Sequence, residues 1–257
     1  MKVTILGCGG AAGVPGISMG WGACDPTEPR NRRLRSSILV EEGGTTLLVD
    51  SSPDLRQQLL AAGVRRLDAV VYTHDHADHL HGIDDLREIN RVIRQPLPVW
   101  GAQATLETAR QRFGYAFETE TVETGGMIWR PWLEPRVVDG PFQVGGLDIL
   151  PLDQDHGYCR SLGIRIGRFA YCTDAVDFPP ESWAAMQDLD LWVVGCLVEQ
   201  PHPTHAHVDK VVAWAQKLRP RRTVLTHMGS RLDYRALVDR LPAGIEPAYD
   251  GMVLDVG

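Results

Sequence analysis

Residues 73–79 read Thr-His-Asp-His-Ala-Asp-His, directly after the mostly apolar run from Leu67 to Tyr72. His74, His76, Asp78 and His79 thus crowd into six residues at the end of a predicted buried strand. Imidazole nitrogen and carboxylate oxygen gathered this tightly point to metal ligation. One divalent ion cannot easily use all four groups from so short a loop. Two ions can, with His74 and His76 on one and Asp78 and His79 on the other.

Further groups of ligand type close other strand-like runs. Asp50 ends Thr45 to Val49, and His156 follows a run ending near Leu152. Asp174 closes Arg168 to Thr173, and His227 closes Thr223 to Thr226. Functional groups gather at strand ends because a rigid sheet holds the loops there. A lone Asp after a strand is usually a turn residue or helix cap. Beside the His74–His79 cluster, however, His156, Asp174 and His227 become expected ligands. His81 is left outside the set, because the sites are already filled.

In order and spacing, Asp50, the H-x-H-x-D-H segment, His156, Asp174 and His227 resemble the metallo-β-lactamase superfamily of hydrolases, over nearly the whole chain. The resemblance implies an α/β (α+β) fold, a four-layer αβ/βα sandwich of two mixed sheets flanked by helices. It also implies a first metal on His74, His76 and His156, a second on Asp78, His79 and His227, and Asp174 bridging both. Asp174 departs from the true β-lactamases, which lack an aspartate there. Only 30 residues follow His227, too few for the helical extension of glyoxalase II. The 53-residue interval from Asp174 to His227 leaves no room for an inserted domain and shows no Gly/Pro-rich tRNA arm. What remains resembles the small branch holding the phosphoribosyl cyclic phosphodiesterase of phosphonate breakdown and pyrroloquinoline quinone biosynthesis protein B. Leu6 to Pro15, Pro29 to Ser37, His81 to Arg87 and His202-Pro203-Thr204-His205 carry that likeness. Many members of the branch bind a structural zinc through C-x-C-x-x-C. Here the corresponding positions are Met19, Trp21 and Cys24, and one thiolate cannot build a tetrahedral site. The loop is therefore expected to be held by packing, with Trp21 the candidate.

Two divalent ions about 3.5–4 Å apart can hold a bridging hydroxide at neutral pH and clamp an in-line displacement. Nitrogen and carboxylate ligands suit zinc, manganese or iron. The expected function is a dinuclear phosphodiesterase on a small, cyclic or open, phosphate ester. His205, 22 residues before His227, stands where the cyclic phosphodiesterase has its catalytic histidine. It is the expected general acid, with His207 its competitor and an exposed position near a helix start the plain alternative. Asp78 and Asp50 complete the expected catalytic set. Asp50 would accept a hydrogen bond from a ligating histidine, or else merely shape an Asx turn. Arg87, one to two helical turns past the metal loop, is the candidate phosphate-binding residue, unless it is an ordinary solvated arginine. Arg30, Arg32, Arg33 and Arg35 add local positive charge or form a solvated loop. Two other functions remain in view: hydrolysis of a lactone or thioester on the same metals, and a non-hydrolytic role in cofactor biosynthesis.

The composition is that of an ordinary soluble protein, 44% hydrophobic and 23% charged. A formal net charge of −7 disfavours nucleic acid as a partner and leaves small phosphate esters open. No apolar run is long enough to span a membrane, and the N-terminus begins with a strand pattern rather than a signal peptide. Five scattered cysteines fit reduced thiols and a cytoplasmic setting. Related enzymes often dimerise. Met19-Gly20-Trp21 and Trp129 to Trp132 are apolar candidates for a homodimer contact or a lid, with core packing equally able to explain them.

The elements that must position this chemistry alternate along the chain. Gly43-Gly44 predicts a hairpin between residues 37–40 and 45–49. Helices are predicted over 53–62, 84–94, 102–113 and 205–218, short strands over 127–152, and a last strand over 252–256. No linker divides the chain, so one domain over residues 1–257 is expected, built of two intimate halves split near residue 140.

Overall fold

The computed structural model describes residues 1–118 and 129–257. Its elements, in chain order, are β1 (Lys2–Gly7), β2 (Ser37–Glu42), β3 (Thr45–Val49), α1 (Leu55–Ala62), β4 (Ala69–Val71), α2 (Ala77–Leu80), α3 (Leu86–Ile93), β5 (Leu97–Gly101), α4 (Gln103–Arg112) and β6 (Leu133–Val137). There follow β7 (Phe142–Val144), β8 (Leu147–Asp155), β9 (Arg160–Ile166), β10 (Phe169–Cys172), α5 (Pro180–Ala185), β11 (Leu191–Gly195), α6 (Val208–Leu218), β12 (Arg222–Thr226), α7 (Tyr234–Arg240), β13 (Ile245–Pro247) and β14 (Val253–Asp255). Residues 127 and 128, where the predicted 127–152 strand region opens, lie outside the described residues.

The strands form two mixed sheets, β14-β1-β2-β3-β4-β5-β6 and β13-β12-β11-β10-β9-β8-β7. In the first, pairing is antiparallel up to β3 and parallel from β3 to β6. In the second it is antiparallel from β7 to β10 and parallel from β10 to β13. The two switches fall at β3 and β10, whose ends carry Asp50 and Asp174. Strand carboxyl ends at such switch points are where open α/β sheets place ligands.

Alternation along the strands builds the layers. Ile38, Val40, Leu47 and Val49 face the second sheet across the main core, which also takes in Trp192, Val193 and the apolar face of α6. Leu39, Leu48 and Val70 point the other way, onto Leu55 and Leu59 of α1 and Leu86 and Ile89 of α3. These are the period-2 faces of strands buried on both sides. The β2–β3 hairpin closes through Gly43 and Gly44, both at positive φ, as a two-residue turn of this hand requires. No helix among the described residues is long and apolar enough to cross a membrane.

The last strand, expected over 252–256, is β14, which pairs with β1, Lys2 opposite Asp255, and completes the first sheet. A core-lining β1 with only β2 beside it would expose an unpaired edge, and β14 covers it. The helix predicted from His205 begins at Val208. The Ala206–His207 segment instead pairs with its neighbours, Ala206 hydrogen-bonding Ala175 and Leu197 and His207, the extended N-cap, bridging to Val198.

Candidate metal centre

Each strand end delivers its side chain by a turn that ordinary residues avoid. Asp50, Asp174 and His227 all sit at positive φ (64°, 49° and 55°) just after β3, β10 and β12. Left-handed backbone costs roughly 1–3 kcal/mol for non-glycine residues, least for Asp, and such strain clusters at functional sites. The His74–His79 segment leaves β4 and enters the short α2, which carries Asp78 and His79. His156 follows β8 directly.

These turns bring seven side chains into two adjoining groups. His74, His76, His156 and Asp174 offer ligand atoms all within 4.8 Å of one another, and so do Asp78, His79, Asp174 and His227. Asp174 belongs to both. Its Oδ2 lies 3.7 Å from His74 Nε2 and His156 Nε2, and its Oδ1 lies 3.4 Å from His79 Nε2 and 3.3 Å from His227 Nε2. Asp78 Oδ2 closes the second group, 3.3 Å from His79 and 3.2 Å from His227.

The far sides of the rings are fastened. Asp50, fully buried, takes a hydrogen bond from His79 Nδ1 at 2.7 Å. The same Oδ2 accepts from the Thr73 hydroxyl at 2.8 Å, and that hydroxyl lies 3.0 Å from His74 Nδ1. One carboxylate therefore orients a histidine of each group, leaving their Nε2 atoms for the centre. His156 Nδ1 is held by the Thr204 carbonyl at 2.8 Å. Arg112 of α4 donates to the Asp75 carbonyl at 2.5 Å, bracing the loop between His74 and His76. Thr73 and Arg112 were not anticipated from sequence. Thr73 stood in plain view beside His74, but Arg112 carried no local signal.

Whether cations fit here is a matter of charge and orphaned atoms. Asp50, Asp78 and Asp174 are buried, and none pairs with Lys or Arg among the described residues. Buried His74 Nε2 and His79 Nε2 have no hydrogen-bond partner and face the shared carboxylate. Burial pushes Asp50 up and His74 well down. Burial opposes charge on His79 as well, yet Asp174, Asp50 and Asp78 hold it well above the imidazole range. Excess buried carboxylate with free imidazole nitrogens suits two divalent cations.

His205 reaches this centre from the loop before α6. Its Nε2 lies 3.1 Å from Asp174 Oδ2, and its ring stacks on His227 at 5.1 Å. Burial lowers its pKa, while the Asp174 hydrogen bond works the other way. His207 makes no side-chain cap and belongs to neither ligand group. His81 is exposed, edge-on to Phe113. Arg87 is not brought to the centre. Its guanidinium pairs with Asp84 and Glu88, along a groove shared with Arg56 and Leu59 of α1.

The 14–35 loop is held differently from the Trp21 packing expected. Trp21 is half-buried under Arg32. The fastening is polar. The Cys24 thiol donates to the Ser230 and Leu232 carbonyls, and buried Arg33 donates to Gly229 and Leu232. Asn31 Nδ2 donates to Asp233 at 2.6 Å, and Glu28 binds Arg30 and Arg235. Arg33, Asn31 and Glu28 of this loop thus brace the segment that follows His227, while Arg32 lies over Trp21 and Arg35 pairs with Asp54.

Known proteins agree with this architecture. Residues 45–228 match the model of the β-lactamase superfamily domain. A solved structure described as a new diphosphatase from the PhnP family is 33% identical, with a TM-score of 0.91, covering 100% of this chain and 98% of that one. Zn2+-bound PqqB from Methylobacterium extorquens shares the fold at 21% identity and a TM-score of 0.74, each chain covered in full. An octanoyltransferase of Porphyromonas gingivalis is 32% identical over 255 residues, 98% of this chain and 51% of that protein. The chain thus spans about half the length of that curated relative. On the strength of the domain match and the near-complete overlap with a 33%-identical structure, this chain belongs to the β-lactamase superfamily and, within it, to the branch of PhnP-family proteins.

Proposed function

We propose that this chain is a dinuclear metal-dependent phosphodiesterase acting on small phosphate esters, cyclic ones and diphosphate diesters included, with His205 as general acid. The observation that carries it is His205 Nε2 at 3.1 Å from the carboxylate shared by both ligand groups. His74, His76 and His156 would hold one ion, Asp78, His79 and His227 the other, and Asp174 both. When bound, zinc or manganese ions supply Lewis acidity toward phosphate oxygens and a water nucleophilic at neutral pH. The remaining work belongs to the chain. Asp50 and Thr73 engage Nδ1 of His79 and His74, so their Nε2 atoms are the ones turned toward the centre, where a bound ion would take the place of a proton. His205 donates its Nε2 proton to the departing alkoxide, the one group in phosphodiester cleavage too basic to leave alone. The PhnP-family diphosphatase supports a phosphorus substrate.

A second reading, hydrolysis of a thioester or other carbonyl ester, draws on the octanoyltransferase that aligns with nearly the whole of this chain. The leaving group separates the two. Zinc- or manganese-loaded protein is expected to cleave bis(p-nitrophenyl) phosphate and a cyclic alkyl phosphodiester. His205→Ala should lower turnover of the alkyl ester by roughly 10²-fold, and of the nitrophenyl ester far less, since nitrophenolate leaves without a proton. Faster hydrolysis of an acyl thioester than of either phosphodiester, with His205→Ala harmless, would overturn the phosphodiesterase reading.

A further inference from the structure

Thr204 touches the candidate centre in three ways, with three different parts of one residue. Its carbonyl accepts from His156 Nδ1 at 2.8 Å. Its hydroxyl lies 2.7 Å from His205 Nδ1 and 3.3 Å from His202 Nδ1. Its methyl closes on the β8–β9 turn: a Cβ at Gly157, itself at φ 77°, would stand 2.8 Å from Thr204 Cγ2 and 2.7 Å from the Pro203 carbonyl. The turn that delivers His156 therefore docks directly on the residue that precedes His205.

His205 has two ring nitrogens and two anchors, Thr204 Oγ1 at one end and Asp174 Oδ2 at the other. His227 stacks on one face at an interplanar angle of 8°, and His156 meets the ring edge-on at 4.7 Å. Stacking holds the ring plane but does not choose which of the two ring faces meets His227. A 180° turn about the Cβ–Cγ bond would exchange nitrogen for carbon at both anchors, and only the hydrogen bonds resist it. Asp174 also faces both ligand groups, whereas the Thr204 hydroxyl faces none of their nitrogens and lies closer to His205 Nδ1, at 2.7 Å, than to His202 Nδ1, at 3.3 Å.

We propose that Thr204 is a positioning residue that locks the acid to the first ligand group. Its hydroxyl sets the ring orientation and tautomer of His205, and its carbonyl and methyl seat His156. The proposal rests on the phosphodiesterase reading for its effect on turnover, but not for its effect on the ring.

The two functions of Thr204 come apart on substitution. Thr204→Val keeps the β-branch and the carbonyl and removes the hydroxyl; Thr204→Ser keeps the hydroxyl. For the metal-loaded protein, Thr204→Val should lower kcat on an alkyl phosphodiester roughly tenfold, the scale of a misplaced catalytic group. KM and divalent-ion affinity, read by chelator competition, should stay within about twofold, because the His156 contact is a backbone carbonyl. Thr204→Ser should restore kcat. In a His205→Ala background, Thr204→Val should add nothing. Nitrogen-15 NMR of the imidazoles supplies the readout independent of activity: Thr204→Val should shift the His205 Nδ1 and Nε2 resonances toward a tautomer mixture and leave His156 unchanged. A His205 spectrum identical to wild type overturns the positioning role. So does a loss of metal affinity as large as the loss of kcat and unrescued by serine. His205→Ala without effect on the alkyl ester overturns the phosphodiesterase reading instead, a result the NMR comparison does not depend on.

Discussion

The two ligand groups share Asp174 but are built differently. In the second, Asp78, His79, Asp174 and His227 are all buried. Asp50 lies directly behind His79, and Arg33 and Asn31 brace the segment after His227. In the first, His76 is exposed, and the supports are a threonine hydroxyl, a loop carbonyl and an arginine on the surface helix α4. One group is part of the core and the other is its open face. An ion in the second group would lie deeper from solvent. The first group, with His205 beside it, is where a substrate would be met.

Asp174 is the point where this contrast must fail, since both groups depend on it. Asp174→Ala should abolish tight binding of both ions, measured as metal per chain, and lower hydrolysis roughly 10³-fold. Retention of one ion would show that the second group stands without it. Asp50→Asn should weaken ion binding roughly 10- to 100-fold, the usual cost of losing an outer hydrogen-bond partner. Because Asp50 holds His79 directly and His74 only through Thr73, the larger loss should fall on the second group. Thr73→Val should reverse the order, weakening the first ion more. Equal losses in both variants, in a titration that resolves two affinities, would erase the distinction.

Chelation tests the same contrast in time. Removal by EDTA should be biphasic, the faster phase belonging to the first group and slowing when His76 is shielded by a bound phosphate ester. A ligand at a hundred times its Kd stabilises by about 2.7 kcal/mol, so the stripped protein should melt at least several degrees lower. A single phase would mean that depth does not govern release.

The smallest effect concerns the brace beneath the second group. Glu28, tied chiefly to Arg30 and also to Arg235, has its pKa lowered from 4.5 to about 2. A depressed acid stabilises the fold above its unfolded value and loses that contribution as pH falls through its folded value. In chelated protein, wild type should therefore melt above Glu28→Gln by a constant margin over pH 5–7. That margin should close as pH is taken from about 4.5 toward 2. A margin that does not change with pH would make Glu28 a packing residue rather than an ionic one.

The limits of the sequence reading follow the range of the forces involved. The His74–His79 loop is legible because its geometry is local: six residues leaving a buried strand can do little else with three imidazoles. The strand-end positions of Asp50, His156, Asp174 and His227 are nearly as legible, because apolar runs mark the strands and the next polar residue marks the end. The choice between His205 and His207 is of another kind. Two residues apart, they would share one side of a regular strand, and what separates them is the bend at His205, which turns its ring to Asp174, before the extended N-cap at His207 pairs with Val198. Arg87 shows the same dependence on a helix: each residue turns the side chain by about 100°, and packing of α3 against α1 directs Arg87 to Asp84 and Glu88.

The amino-acid order alone thus specified the strand ends where chemistry gathers and the ligand types waiting there, consequences of periodicity and composition over short spans, while the two mixed sheets were implied by the family resemblance that those ligands carry. Contacts across the chain settled the rest. They carry β14 back to β1, run Glu28 and Asn31 to residues some 200 positions away, and place Thr204 between His156 and His205. Such contacts are invisible in one dimension because their partners are chosen by the shape of the packed core, which no local pattern encodes.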